Sequence, residues 1–96
     1  MMKIANKKFI LKKAIATYGP TLQQVVAMEE LAELQKELSK MIRGKGSIIN
    51  LVEEIADVLI MIDQLKIIHE ISDQEIEDEI NFKLLRTNER LQQEAD

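Results

Sequence analysis

The sequence predicts an all-α fold: an antiparallel helical bundle of about four helices, formed by a single domain, residues 1–96. Three observations support this prediction. Apolar residues recur at the three- and four-residue spacing of a helix face, without the alternation typical of strands. Glycine, proline or a capping serine interrupts the pattern between segments. The composition is aliphatic, since 46% of the residues are hydrophobic but only 3% are aromatic.

The first predicted helix covers residues 3–17 and ends at the segment YGP. Glycine and proline break helices, and proline disfavours helical geometry at the residue before it. The second helix is expected to begin at Thr21, which caps it with Gln24 at the capping-box position. It continues to Ile42, where the segment RGKG provides glycine for the C-cap.

The third and fourth helices carry serine caps. Ser47 is predicted to cap the third helix, which continues to Glu70. Ser72 and Glu75 form a capping box that opens the fourth helix, which ends near Gln93. Because the connections between consecutive helices are short, neighbouring helices are expected to run antiparallel.

The third helix is apolar on two sides. One face consists of Leu51, Ile55, Val58, Ile62 and Leu65. The second face consists of Ile49, Val52, Ala56, Leu59, Ile60 and Ile67. A small bundle covers one such face well, so the second face indicates a homo-oligomer, with a symmetric dimer as the commonest form. The alternative is a monomer in which the first helix covers this face.

Two pairs of carboxylates lie beside the apolar stripes of the second and third helices. In MEELAELQKEL, Glu30 and Glu33 are three residues apart and share one flank, with Glu37 between them on the helical wheel. In VEEIADVLIMI, Glu54 and Asp57 repeat the spacing on the next helix. If the two flanks face each other, four carboxylates converge, and like charges at short range repel.

A hard cation such as Mg²⁺ removes that repulsion and prefers oxygen ligands. We therefore predict a Mg²⁺ site formed by Glu30, Glu33, Glu54 and Asp57. The alternative is that these charged residues merely border amphipathic helices, as they do on most surface helices.

The fourth helix adds positive charge beside its apolar stripe. The stripe, expected to pack in the core, consists of Ile76, Ile80, Leu84 and Leu91. Lys83 and Arg86 on its flank are predicted to bind substrate phosphate oxygens. The alternative, preferred for Arg90, is positive charge favoured by the helix dipole. His69 is interpreted as a C-terminal cap or a partly buried side chain rather than a ligand.

The segments EELAEL and EEIADVLIMI resemble the MazG-like, all-α nucleoside triphosphate pyrophosphohydrolases, whose hallmark is E-x-x-E on one helix and E-x-x-D on the next. The resemblance extends from residue 22 to residue 90, and NFKLLRTNER is loosely similar to the family's Lys/Arg-bearing last helix. It implies that Mg²⁺ is the cofactor and that a (d)NTP is cleaved between its α- and β-phosphates, giving (d)NMP and pyrophosphate. It also implies a dimer or tetramer with the site near an interface.

In this interpretation the cation lowers the pKa of a water molecule, and Glu33 or Glu30 is the catalytic carboxylate that orients or deprotonates it. Two alternatives stay open. One is a non-catalytic helical interaction or regulatory module of the same fold. The other is a pyrophosphohydrolase for a related substrate, such as dUTP, dCTP or phosphoribosyl-ATP.

Composition argues against several other classes of protein. A net charge of −4 does not favour nucleic acid binding, and no apolar run approaches the roughly 20 residues of a membrane span. Zero cysteine rules out disulfides and thiolate metal sites and is consistent with a reducing compartment, so we expect a cytoplasmic protein. The lysines of the first helix are interpreted as a solvated face.

Overall fold

The protein is all-helical in the computed structural model, which describes residues 6–95. Four helices follow one another: α1 (Lys7–Tyr18), α2 (Pro20–Ile42), α3 (Ile48–Ile68) and α4 (Asp73–Ala95). No strand occurs within this part of the chain, which confirms that the fold is all-α with four helices. The predicted start of the first helix, at residue 3, lies outside the described residues.

The junction between α1 and α2 differs from the sequence prediction. Gly19, with φ of 90°, both ends α1 and occupies the N-cap of α2, and Pro20 is the first residue of α2. The predicted Thr21 cap is therefore wrong. Proline is favoured at the first helical position because the N–H that it lacks has no partner there. The Gln24 side chain, expected in a capping box, instead donates a hydrogen bond from Nε2 to the Pro20 carbonyl oxygen at 3.1 Å.

α2 and α3 end in the same backbone motif. After α2, Gly44 has φ of 73°, and the N–H of Lys45 donates to the carbonyl of Lys40 at 2.9 Å. After α3, Glu70 has φ of 55°, and the N–H of Ile71 donates to the carbonyl of Lys66 at 2.9 Å. Both are Schellman motifs, in which a residue with left-handed geometry closes the last turn.

The predicted serine caps are confirmed. Ser47 Oγ accepts a hydrogen bond from the N–H of Asn50 at 3.4 Å at the start of α3. At α4, the N–H of Glu75 donates to Ser72 Oγ at 3.1 Å, and the N–H of Ser72 donates to Glu75 Oε2 at 2.8 Å. This reciprocal pair satisfies two donors at the helix end. The hydrogen bonds that Glu75 Oε2 accepts from the N–H and the hydroxyl of Ser72 lower the pKa of the Glu75 carboxyl.

The interior lies where α1, α2 and α3 meet. α2 and α3 form the main helix pair, and α1 packs against both. The buried apolar side chains are Leu11, Ala27, Val58 and Met61. Gln23 of α2 and Gln64 of α3 are also buried and are joined by a 2.7 Å hydrogen bond, which fixes the register of the two helices.

α4 does not join this interior. It has no comparable contact with α1, α2 or α3, and none of its residues is buried. The radius of gyration is 16.9 Å, whereas a compact chain of this length has about 13 Å. The prediction that the apolar stripe of α4 packs in a core within the chain is therefore wrong, since Ile80 is 50% and Leu84 60% exposed.

The second apolar face of α3 is also largely uncovered. Ile49, Val52 and Leu59 are each more than half exposed, at 73%, 59% and 56%. α1 packs on α3 but leaves these side chains exposed, contrary to what the monomeric alternative expects. None of the helices in the described part of the chain has the length and apolarity needed to cross a membrane.

Candidate metal centre

α2 directs two carboxylates toward α3. Gln23 marks the side that faces α3, since its Nε2 donates the hydrogen bond to Gln64 Oε1. At about 100° per residue, Glu30 is offset from Gln23 by about 20° and Glu37 by about 40° in the same direction. Glu30 is half-buried and Glu37 is buried. The helical repeat therefore places both carboxylates against α3.

α3 provides the opposing carboxylates, Glu54 and Asp57. Glu54 precedes the buried Met61 by seven residues, so the two side chains are offset by only about 20°. Glu54 is consequently half-buried, whereas Asp57 lies at the edge of the same face and is exposed. Since α2 and α3 run antiparallel, Glu30 lies opposite these two residues.

Three of the four predicted ligands come together. One carboxylate oxygen from each of Glu30, Glu54 and Asp57 lies within 4.8 Å of the others. Two oxygens on opposite sides of a Mg²⁺ ion are about 4.2 Å apart, twice the Mg–O distance. Side-chain rotations that shorten these separations would bring the group to Mg²⁺ geometry. The donor set, carboxylate oxygens only, is the one that hard cations prefer.

The electrostatics of the group favour a positive ion. Partial burial, followed by the charge of Asp57 and hydrogen bonding to it, raises the pKa of Glu30. Partial burial also raises the pKa of Glu54, and the charges of Asp57, Glu33 and Glu37 act in the same direction. These carboxylates repel one another, so a cation between them stabilises their charged forms.

Two carboxylate oxygens of this region are buried without a hydrogen-bond partner: Oε2 of Glu37 and Oε2 of Glu54. A buried acceptor without a donor is costly, and such groups in native proteins commonly face a water molecule or an ion. The residues present thus fit a hard divalent cation.

Glu37 is not among the predicted metal ligands, although helical spacing places it on the same flank of α2 as Glu30 and Glu33. The seven-residue spacing from Glu30 could have indicated that Glu37 belongs to this region, because it puts both side chains on nearly the same side of α2. The structure shows Glu37 to be the more deeply buried of the two.

Glu33 lies beside the group rather than within it. It is offset about 80° from Gln23, so its side chain is exposed at the flank of α2, and it is not among the three residues whose oxygens converge. Its charge nevertheless contributes to the raised pKa values of Glu54 and Glu30. Glu33 is therefore close enough to act on the site from its solvent side.

Lys83 and Arg86 are not brought to the carboxylates within one chain. Lys83 Nζ is 3.6 Å from Glu79 Oε1, one turn earlier on α4, and the Arg86 guanidinium lies 5.8 Å from the centre of the Phe82 ring. Both contacts are internal to α4, which does not pack along α2 or α3. Each side chain stays exposed and able to meet a ligand from solvent.

His69 is the C-cap residue of α3, which is one of the two interpretations offered by the sequence, and its Nε2 lies 2.8 Å from Gln24 Oε1. Near it, an open cleft of about 510 Å³ separates α1 from the connection between α3 and α4. Lys7 pairs there with Asp63, and Lys66 pairs with Asp63 at 3.2 Å and with Asp73 at 2.7 Å. Side chains of both charge signs line this cleft, whereas Glu30, Glu54 and Asp57 form a group of one charge sign.

Comparison of the chain with protein-family models, with curated proteins and with solved structures gave no match.

Proposed function

We propose that the protein is a Mg²⁺-dependent pyrophosphohydrolase of the MazG-like type, which converts a (d)NTP to the (d)NMP and pyrophosphate in the cytoplasm. The observation that supports this best is the convergence of Glu30, Glu54 and Asp57 from two antiparallel helices, with one oxygen of each within 4.8 Å. These residues belong to the E-x-x-E and E-x-x-D segments on which the resemblance to that family rests.

The residues of the site have distinct roles in this proposal. Glu30, Glu54 and Asp57 would hold Mg²⁺, which would supply the positive charge that neutralises a polyphosphate and lowers the pKa of a water molecule. Glu33, exposed at the flank beside them, accepts the proton of the attacking water. Water adds to the α-phosphorus as the bond between the α- and β-phosphates breaks, and pyrophosphate leaves.

The substrate-binding role of Lys83 and Arg86 requires a second copy of the chain. Since α4 does not lie against the carboxylates of its own chain, α4 of another copy has to bring these cations to the phosphates. The exposed stripe of α4 and the exposed second face of α3 are apolar surfaces suited to such an assembly. We therefore propose a homo-oligomer, a dimer or a tetramer.

The test is a panel of nucleotides incubated with the protein and Mg²⁺ and assayed separately for pyrophosphate and orthophosphate. The panel holds canonical and modified NTPs and dNTPs, dUTP, dCTP and phosphoribosyl-ATP, which also separates the related substrates. We expect pyrophosphate as the product. Orthophosphate alone, or no product from any nucleotide, would overturn the proposal.

Glu33→Gln tests the catalytic assignment. Glutamine has nearly the same shape and a similar helix propensity, so the fold should persist. We expect kcat to fall by about 10²–10⁴-fold, the usual contribution of a general base. Glu53→Gln is the matched control, since it removes one exposed carboxylate from the neighbouring helix and should leave kcat nearly unchanged. Equal losses in both variants would contradict the role of Glu33.

Lys83→Ala tests substrate binding. We expect KM to rise by about tenfold or more with a smaller change in kcat, because a charge-assisted contact to phosphate is lost. A variant with unchanged KM would remove Lys83 from the site.

A second candidate is a helical interaction or regulatory module without catalysis. The exposed apolar surfaces of α3 and α4 favour it, since they need a protein partner but no metal. This candidate is preferred if no nucleotide is cleaved and neither Mg²⁺ nor any nucleotide changes the melting temperature.

A further inference from the structure

Gln23 and Gln64 form a polar pair inside the interface between α2 and α3. Their side chains are only 7% and 4% exposed, so both amides are almost completely removed from water. Gln23 Nε2 donates a hydrogen bond of 2.7 Å to Gln64 Oε1. A hydrogen bond depends on both distance and angle, whereas apolar contact has no preferred direction. The amide pair therefore makes this interface sensitive to the relative position of the two helices.

The apolar part of the same interface adds little preference for one position. Among residues 6–95, α2 contributes Ala27 to the buried apolar side chains, and α3 contributes Val58 and Met61. Alanine has little surface to interlock with a neighbour, and methionine is flexible and fills gaps of different shapes. A small slide of α3 along α2 would preserve much of this contact. It would, however, break the amide pair and leave buried polar groups without partners, which is costly.

The candidate cation site lies two helical turns from this pair on both helices. Glu30 follows Gln23 by seven residues, and Asp57 precedes Gln64 by seven residues. Because α2 and α3 run antiparallel, both steps lead in the same direction, about 10 Å along the axis with a rotation of only about 20°. The register that joins the two glutamines thus sets Glu30 opposite Asp57, and carboxylate oxygens of these two residues lie within 4.8 Å.

This equal spacing is important because a binding site tolerates little displacement of its ligands. The groups of a functional site have to be held within about 0.5 Å of their productive positions. A slip of one residue already moves a helix by about 1.5 Å along its axis. At a distance of two turns neither glutamine can touch the cation, so the pair acts on the site only through the positions of the two helices.

We propose that Gln23 and Gln64 are positioning residues of the cation site, and that their hydrogen bond holds Glu30 and Asp57 in the register that binds the cation. This role rests on the proposed function of the carboxylates as cation ligands. Stability alone does not require the amides, since replacement of both partners of a buried hydrogen bond by apolar groups of the same shape is often nearly neutral. Selection of one register is the best-attested role of a buried polar group between helices.

The first experiment replaces both amides by methionine, which is unbranched and close to glutamine in shape. Gln23→Met combined with Gln64→Met is titrated with Mg²⁺ by calorimetry, without nucleotide. We expect the Kd to rise about tenfold, the lower end of the loss seen for groups that support metal ligands. The melting temperature without metal should equal or exceed that of the wild type. Gln35→Met, which changes an exposed glutamine of α2, is the matched control and should alter neither quantity.

Gln64→Glu is the conservative variant that should retain binding. A carboxylate at this position still accepts the hydrogen bond from Gln23 Nε2, and a charge-assisted bond of this kind is stronger than the amide pair. We therefore expect the Mg²⁺ Kd of Gln64→Glu to lie closer to the wild-type value than to that of the double methionine variant. A loss that only reflects altered packing would not be restored in this way.

The second experiment measures the register without any metal. The chain contains no cysteine, so spin labels can be attached at Lys36→Cys on α2 and Glu53→Cys on α3, both at exposed positions. Labelled chains are diluted with unlabelled protein, so that distances between copies do not contribute. Double electron–electron resonance should give one narrow distance distribution with the glutamine pair. With the methionine pair the distribution should be broader or shifted.

Several results would overturn the positioning role. The double methionine variant binds Mg²⁺ as tightly as the wild type, its label distances are unchanged, or Gln64→Glu binds as weakly as the double variant. A double methionine variant that fails to fold, or melts well below the wild type, also overturns it, because the pair then serves stability.

Failure of the proposed function is scored separately, by pyrophosphate release from the nucleotide panel. A wild-type chain that shows the expected effects on Mg²⁺ affinity and label distance but cleaves no nucleotide refutes the enzyme only. A chain that releases pyrophosphate, with a Mg²⁺ Kd that the double substitution leaves unchanged, refutes the positioning role only. A wild-type chain that binds no Mg²⁺ refutes both.

Discussion

Replacement of Glu70 by glycine is predicted to stabilise the protein. Glu70 has φ of 55° and is the one non-glycine residue with positive φ among residues 6–95. It occupies the left-handed position of the Schellman motif that ends α3, where an L side chain crowds the following carbonyl and costs about 1–2 kcal/mol. Its carboxylate also lies at the negative end of the α3 dipole, which is unfavourable.

The expected gain combines these effects. Glycine removes the conformational cost, but its greater freedom in the unfolded chain returns about 0.4–1 kcal/mol. With the unfavourable charge removed as well, the net stabilisation is about 1 kcal/mol. For a domain of this size, that raises the melting temperature by roughly 4–8 °C.

The assay is thermal unfolding followed by circular dichroism at one fixed protein concentration, since an oligomer melts in a concentration-dependent way. Gly44→Ala is the reciprocal control, because Gly44 occupies the equivalent position after α2 with φ of 73°. A Cβ added there meets no atom within 4 Å, so the loss of stability comes from backbone conformation alone. A lower melting temperature for Glu70→Gly, with Gly44→Ala destabilised as expected, would refute the reasoning.

Three further predictions concern the carboxylates and the assembly. Mg²⁺ at about 100 times its Kd should raise the free energy of unfolding of the wild type by about 2.7 kcal/mol. Mg²⁺ should stabilise Glu54→Gln far less, whereas the control Glu53→Gln should be stabilised as much as the wild type. If calorimetry shows equal losses of Mg²⁺ binding in the two variants, the site is contradicted. Without metal, the raised pKa values of Glu30 and Glu54 should contribute stability that grows as the pH falls from neutral through them and is complete below their unfolded-state value of 4.5, whereas the lowered pKa values of Asp63 and Glu75 act in the opposite direction. The difference in free energy of unfolding between Glu54→Gln and the wild type should therefore shrink as the pH falls in a series of denaturant titrations, and a difference that is independent of pH would contradict the prediction. Leu59→Lys should convert an oligomer to monomers, because it places an unpaired charge on the exposed second face of α3. A wild-type chain that sediments as a monomer would exclude an interface on this face.

Much of the helical framework was predictable because its causes are local. The capping box of Ser72 and Glu75, the Ser47 cap and the glycine that closes α2 each involve residues within about five positions of one another. The incorrect Thr21 cap is also local, and its correction follows from the preference of proline for the first helical position.

The carboxylate site was predictable only in part. The three-residue spacings placed Glu30 with Glu33 and Glu54 with Asp57, since helix geometry alone determines which residues share a flank. The burial of Glu37 and the exposure of Glu33 depend on which side of α2 faces α3. That direction is set by packing between residues about 41 positions apart, such as Gln23 and Gln64, and not by the repeat of either helix.

The sequence by itself determined four helices, their limits to within a few residues and the two carboxylate pairs from which the acidic group is formed. The tertiary structure decided which carboxylates converge, left α4 apart from the other three helices and kept the second face of α3 exposed. The physical reason is that an apolar stripe specifies that a helix needs a packing surface but not where that surface lies. For α2 and α3 it lies in the same chain, and α4 finds no comparable surface there.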